Sequence, residues 1–272
     1  MSRLGHEDLC ARLVAQTDLL AAHLAGADLT TPVPSCPGWN VGQLGRHLGG
    51  GQRWAESIVR ERPAGPPPDD FFRDLTPYAR EDPAVLGPWL AEGARGLAGA
   101  LSAAGPDDSI WTPLPPDAGT GPGALGVGST FWGRRFTHET LVHRADAALA
   151  LGVEFVVDAP VALDAVDEWM ALGSLPVMLD FHPRQRELLG PGRTVHLHAT
   201  DVPGAAAEWL VDLTGEVITW RRSHEKAAVA VRGPLTELLL VVYRRRPVTA
   251  GTVEVVGDGG LLDFWLDRVA FG

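Results

Sequence analysis

One stretch of the chain carries side chains suited to holding a metal ion. Trp132, Phe136, Glu139, His143, Ala147 and Ala150 are spaced by 4, 3, 4, 4 and 3 residues. A helix turns once in about 3.6 residues, so the six share one face. Four of them are apolar or aromatic, which predicts that this face points inward. Glu139 and His143 lie on it one turn apart. A carboxylate and an imidazole in a core need a partner, because an unpaired buried charge is costly. A divalent ion would satisfy both. A Glu–His hydrogen bond, or an ion pair between Glu139 and Arg135 one turn back, would also do so. On this helix alone, simple pairing is the commoner outcome.

A second stretch shifts that balance. Val41, Leu44, Leu48, Gly51, Ala55 and Ile58 mark the inner face of another helix, and His47 lies on the same face. Gly49, Gly50 and Gly51 follow it. Glycine in a helix interior costs about 1 kcal/mol relative to alanine, so three in a row point to space needed for a ligand or for close packing. His47 facing Glu139 and His143 gives three N/O ligands. Catalytic zinc commonly uses that number, with water or substrate in the fourth position. Asp146, three residues after His143, could orient its ring or equally be an ordinary solvated residue of the helix surface.

Other candidates carry less. His138 and His143 are five apart, on different faces, and do not form a zinc-protease motif. Gly121 to Gly126 fits the dinucleotide fingerprint by letters but follows a proline-rich loop instead of a strand. Cys36 sits in a turn with no evident acid–base partner and reads as structural. His196 and His198 alternate with apolar residues, so they share a strand face. With no third ligand visible, they read as a surface or interface pair.

The elements that must position these groups divide the chain in two. In the first half the helical period runs over His6 to Ala25, with Leu9, Leu13, Leu19, Leu20 and Leu24 as its apolar residues. A turn-rich stretch, Thr30 to Gly38, ends it. Asn40 then caps a helix to about Glu61, with Gln43 completing a capping box and Trp39 available to staple onto Leu44. After the proline-rich loop Arg62 to Asp69 come helices over Pro83 to Ala104 and Ser129 to Leu151. Four helices joined by such loops predict a four-helix bundle. In the second half period-2 patterns mark strands at Thr194 to Thr200, Glu208 to Leu213, Val217 to Arg221, Ala227 to Val231 and Thr252 to Val256. Helices are expected over Pro234 to Tyr243 and Gly260 to Val269. The expected organisation is α+β, with a helical domain over 1–155 and a smaller domain over 156–272. A helical connector lies at about 158–180.

Composition narrows the function classes. The net charge of −11, with 34 acidic against 23 basic side chains, disfavours nucleic acid and anionic membranes as partners. No apolar run reaches the roughly 18 residues of a membrane span, and Met1 to Leu20 lacks a signal-peptide pattern. Two cysteines among 272 residues fit a reduced cytoplasm. Lys226 is the only lysine and Asn40 the only asparagine, which indicates a GC-rich genome.

Ser35-Cys-Pro-Gly-Trp39, Val41 to His47 and His138 to Asp146 resemble the signatures of the mycothiol-dependent maleylpyruvate isomerase family. His196 to Asp201, Val231 to Pro234, Leu238 to Val242 with Arg244-Arg-Arg-Pro247, and Val256 to Asp258 resemble its second domain. The resemblance implies a DinB-like four-helix bundle followed by a sterol-carrier-like α+β domain. It implies a divalent metal, zinc foremost, on His47, Glu139 and His143. Mycothiol, the thiol of GC-rich actinobacteria, would be the cosubstrate, and an arginine of the second domain would be catalytic. Arg245 matches that arginine best and Arg246 next. A basic solvated turn is the other reading of the run. The expected enzyme is a cytoplasmic thiol-dependent isomerase or S-transferase acting on a small electrophile, as a monomer or small homo-oligomer. The alternative is a binding module that keeps the metal triad without turnover.

Overall fold

In the computed structural model the described residues are 4–115, 118, 124–203 and 207–269. Residues 121–123 of the glycine-rich fingerprint-like stretch lie outside them. The first half forms helices α1 (His6–Leu24), α2 (Val41–Glu61), α3 (Asp70–Arg73), α4 (Pro83–Ala104) and α5 (Gly128–Leu151). The chain divides into two compact units between Phe155 and Val156, with Ala124 and Leu125 grouped with the second. In the helical unit α1 packs on α4 and α5, and α2 packs on the same two.

The sequence explains why each helix starts and which face it buries. The Asn40 side chain accepts from Gln43 N at 2.8 Å, and Gln43 Oε1 accepts from Asn40 N at 3.0 Å, completing the capping box. Asp82 caps α4 by accepting from Ala84 N at 2.8 Å, and Pro83 takes the first helical position. Leu9, Leu13, Leu20 and Leu24 of α1 are buried. Leu19, grouped with them by sequence, is 45% exposed and lies off that face. Leu44 and Leu48 of α2 join Leu20, Leu24, Leu86 and Leu90 in one apolar cluster, against which Trp39 and Cys36 pack.

The second unit begins with α6 (Ala159–Gly173) and α7 (Met178–Phe181). The expected continuous connector is therefore broken, and Pro176 stands in the break. The strands are β1 (Thr194–Ala199), β2 (Glu208–Asp212), β3 (Thr219–Arg222), β4 (Val229–Gly233) and β5 (Glu254–Gly257). Helices α8 (Leu235–Val242) and α9 (Gly259–Arg268) complete the unit. The sheet order is β3-β2-β1-β4-β5. Only the β1–β4 pair is parallel. Val195, Leu197, Trp209, Val211, Val229 and Val231 alternate onto one buried face. His196, His198 and Glu208 project to the other. No helix among the described residues is long and apolar enough to cross a membrane.

Candidate metal centre

His47 comes from the second turn of α2, and Glu139 and His143 from consecutive turns of α5. One ligand atom from each lies within 4.8 Å of the others. His143 Nε2 is 3.3 Å from Glu139 Oε1, and the two imidazole rings meet edge to face with centroids 5.4 Å apart. The other Glu139 oxygen accepts from Arg135. Both pairings open at the sequence level, Glu139 with His143 and Glu139 with Arg135, are therefore present.

Each histidine is oriented through its second nitrogen. His47 Nδ1 is 3.0 Å from the Phe72 carbonyl oxygen. That oxygen only accepts, so Nδ1 carries the proton and Nε2 keeps a lone pair. His143 Nδ1 donates to Asp146 Oδ2 at 2.9 Å. Asp146 is fully buried. It accepts from Ser35 Oγ at 2.6 Å and from Cys36 Sγ at 3.6 Å. Histidines that bind metal ions regularly have their other nitrogen tied this way. The loop carrying Ser35 and Cys36 is held by Val33 N donating to Trp39 O at 2.9 Å and Trp39 N donating to Cys36 O at 3.0 Å. Cys36, for which the sequence showed no acid–base partner, thus has one in the buried carboxylate behind His143.

The electrostatics follow from burial and neighbours. Burial, with the nearby His143, pushes the His47 pKa down to about 4, so its ring is neutral at neutral pH. Burial opposes charge on Glu139, but Arg135 and His143 outweigh it and hold the carboxyl well below the usual carboxylate range. Burial also opposes charge on His143. Its hydrogen bonds to Asp146, Cys36 and Glu139 overcome that and hold its pKa well above the ordinary imidazole value. A neutral imidazole, an ionised carboxylate and a second imidazole whose Nε2 faces that carboxylate fit a divalent ion in donor type and number. Binding would release the proton from His143 Nε2.

Aromatic rings wall the site. The Trp39 ring lies tilted against His47 with centroids 4.7 Å apart, and the Phe72 ring is tilted against it at 5.6 Å. Trp54 contacts Phe72 and Trp132, and Trp132 contacts Phe136, continuing the α5 stripe away from the triad. The glycines after His47 serve this packing. A Cβ on Gly49 would come within 2.3 Å of the Trp89 ring, and one on Gly50 within 2.4 Å of Phe72 Cβ. Of the two readings of the glycine run, close packing is the one the structure shows. Gly50→Ala should therefore push Phe72 and its carbonyl off His47. The expected loss is about 1–3 kcal/mol of stability, the usual cost of overpacking, read by denaturant unfolding. Unchanged stability would show that α3 moves without cost.

The C-terminal candidates are placed within their own unit. Arg244 adopts φ +59° at the end of α8. The Arg245 and Arg246 backbone amides donate to Leu240 O at 2.7 and 3.1 Å, closing the turn. The Arg246 guanidinium donates to both oxygens of Glu237 at 2.7 and 2.8 Å. Arg245 Nη1 donates to Tyr243 O at 2.7 Å. His196 is 5% exposed instead of lying at the surface, and Glu208 and His224 stand beside it. Sequence spacing could not bring those two to it.

Two family models match the chain. The mycothiol maleylpyruvate isomerase N-terminal domain matches residues 10–148. The MDMPI C-terminal domain matches residues 160–264. Among solved structures, that of the mycothiol-dependent maleylpyruvate isomerase is similar, with TM-score 0.60 and 13% identity over 94% of this chain and 95% of that one. The structure of a histidine-to-alanine mutant of it has the same TM-score at 12% identity. No curated protein matches. At such identities the solved structures speak for the fold.

Proposed function

The chain belongs to the mycothiol maleylpyruvate isomerase family, and from that membership and the triad we propose a metal-dependent enzyme that uses mycothiol on a small electrophilic substrate. The observation that carries the reading is the convergence of His47, Glu139 and His143. Both Nδ1 atoms are tied to acceptors behind them, and Nε2 is left to face the site. A zinc-type ion, when bound, supplies the charge that lowers a thiol's pKa and stabilises the thiolate, the reactive nucleophile.

The residues of the chain do the rest. His47, Glu139 and His143 hold the ion, and Asp146 and the Phe72 carbonyl fix the rings. Arg135 keeps Glu139 ionised. The rings of Trp39 and Phe72 beside His47 limit water around the reacting atoms. For a maleylpyruvate-like substrate the thiolate adds to the cis double bond and forms a C–S bond. The electron pair moves onto the adjacent carbonyl as an enolate. Rotation about the new single bond, then return of the pair with expulsion of the thiolate, gives the trans isomer. S-transfer is the same addition, ended by protonation of the enolate. Two free cysteines and a small-molecule thiol suit the cytoplasm.

The test is thiol-dependent turnover by zinc-loaded protein with mycothiol and a panel of maleylpyruvate, other electrophilic alkenes and epoxides. Isomerised product with thiol unconsumed supports an isomerase, and thiol consumption an S-transferase. No mycothiol-dependent turnover on any of them would favour the binding-module reading. A second expectation concerns Asp146. Asp146→Asn keeps the shape but loses the charged acceptor behind His143. It should weaken zinc binding at the triad by about 10–100-fold, measured by competition with a chelating dye. Unchanged affinity would remove Asp146 from that role.

A further inference from the structure

We propose that the C-terminal unit holds a second divalent-metal site, formed by His196, Glu208 and His224 with His198 beside them, that takes a zinc-type transition ion. It shares no residue with the bundle triad and stands independently of the function proposed above.

The sheet register builds the cluster. His196 and His198 are two apart on β1 and share one face. Glu208 is the direct partner of His198 in the antiparallel β1–β2 ladder, so its carboxylate lies on the same face. His224 lies two residues beyond β3. Ser223 N donates to Glu208 O at 3.3 Å, which folds the chain back along β2. One oxygen, Glu208 Oε2, is then approached by three imidazole nitrogens. His196 Nε2 stands at 3.0 Å, His198 Nδ1 at 3.3 Å and His224 Nδ1 at 2.5 Å. The three rings form a nearly equilateral triangle, with centroids 5.8, 5.9 and 6.1 Å apart.

Hydrogen bonding alone does not account for this crowding. A carboxylate oxygen has two lone pairs, fewer than the three nitrogens around it. His196 is buried and its Nε2, despite its distance from Glu208, has no hydrogen-bond partner. A buried ring nitrogen left in that condition is costly. An ion among the donors removes the conflict, because each nitrogen then directs a lone pair at it. A tetrahedral zinc with bonds of about 2.0–2.1 Å spaces its ligand atoms about 3.3 Å apart. The His196, Glu208 and His224 donor atoms already lie within 4.8 Å of one another. Imidazole and carboxylate together select the zinc group of ions over calcium or magnesium. The neighbouring Arg221 guanidinium is neutralised by Glu225 at 2.8 and 3.1 Å. With an ion bound, the segment after β3 would be pinned to β1 and β2.

Full-length protein freed of metal by chelation and dialysed against buffered Zn2+ tests this by bound-metal analysis. The His47→Ala/His143→Ala double variant should still bind one zinc per chain. Adding His224→Ala to that background should weaken the remaining binding at least about 100-fold, since a ligand counts for more than the groups behind it. The His224 side chain is 70% exposed, so this variant leaves the fold intact. Glu208→Gln, equal in size, should give the same loss. Histidine-selective NMR should show the His196 Nε2 and His224 Nδ1 resonances move on zinc addition. No zinc bound by the His47→Ala/His143→Ala protein, or affinity unmoved by both His224→Ala and Glu208→Gln, overturns the proposal. Failure of the bundle reading looks different: the wild type then binds one zinc, lost with His224→Ala and kept with His47→Ala/His143→Ala.

Discussion

His47→Ala is expected to lower bound zinc by one equivalent and to cut thiol-dependent turnover about 10³-fold or more, roughly 4 kcal/mol of barrier. The size follows from position. His47 is the only member of the triad supplied by α2, and the other two come from adjacent turns of α5. Removing it leaves two donors on one helix, with Glu139 still paired to Arg135. A carboxylate and an imidazole one turn apart then return to simple pairing. The truncation also leaves the Phe72 carbonyl without its donor. That costs about 1–3 kcal/mol, so unfolding is measured alongside metal content. A variant that keeps its metal and its turnover would take His47 out of the site. One that loses stability but not metal would leave it a packing residue.

The parts of the site legible in sequence were those fixed by helical spacing. Intervals of three and four put Trp132, Phe136, Glu139 and His143 on one face. The Asn40–Gln43 box set the start of α2 and so the phase of His47. What escaped was non-local. Ser35 and Cys36 reach Asp146 across 111 and 110 residues, and no local pattern encodes that meeting. Phe72 sits in a four-residue helix between the proline-rich loop and the helix from Pro83, where the sequence marked no element, and it acts through a backbone carbonyl, which any residue type supplies. The glycine run signalled an unusual constraint, but whether a ligand or a ring filled the space depended on Trp89 and Phe72 arriving from elsewhere. The His196 cluster shows the same limit in a sheet. Alternation gave the shared face of His196 and His198, whereas the register of β1 on β2 selects Glu208 as the third member. A one-residue slip would have sent that carboxylate to the opposite face.

Arg245→Ala is expected to cut turnover by about 10²-fold or more while leaving the metal content unchanged, the scale of losing one group that stabilises developing charge. Thiol addition to an electrophilic alkene generates an enolate, and a substrate with a carboxylate adds a second negative charge. A guanidinium binds such groups with two parallel donors and stays charged at every working pH. The bundle does carry an arginine beside the triad, which sequence spacing showed only as a partner for Glu139. Arg135 donates to that carboxylate, so Arg135→Ala should reduce metal binding and turnover together. Arg246 is held through both oxygens of Glu237, which suits a role in shaping the turn after α8. Arg245 donates to Tyr243 O, in a turn fixed by two amides on Leu240 O. That bond helps to orient the guanidinium. The two arginines therefore separate by readout. Loss of kcat with full metal in Arg245→Ala, only partly restored by Arg245→Lys, would assign the charge-stabilising role to Arg245. Unchanged turnover in Arg245→Ala would confine the chemistry to the bundle and leave Arg135 as the cation that serves it.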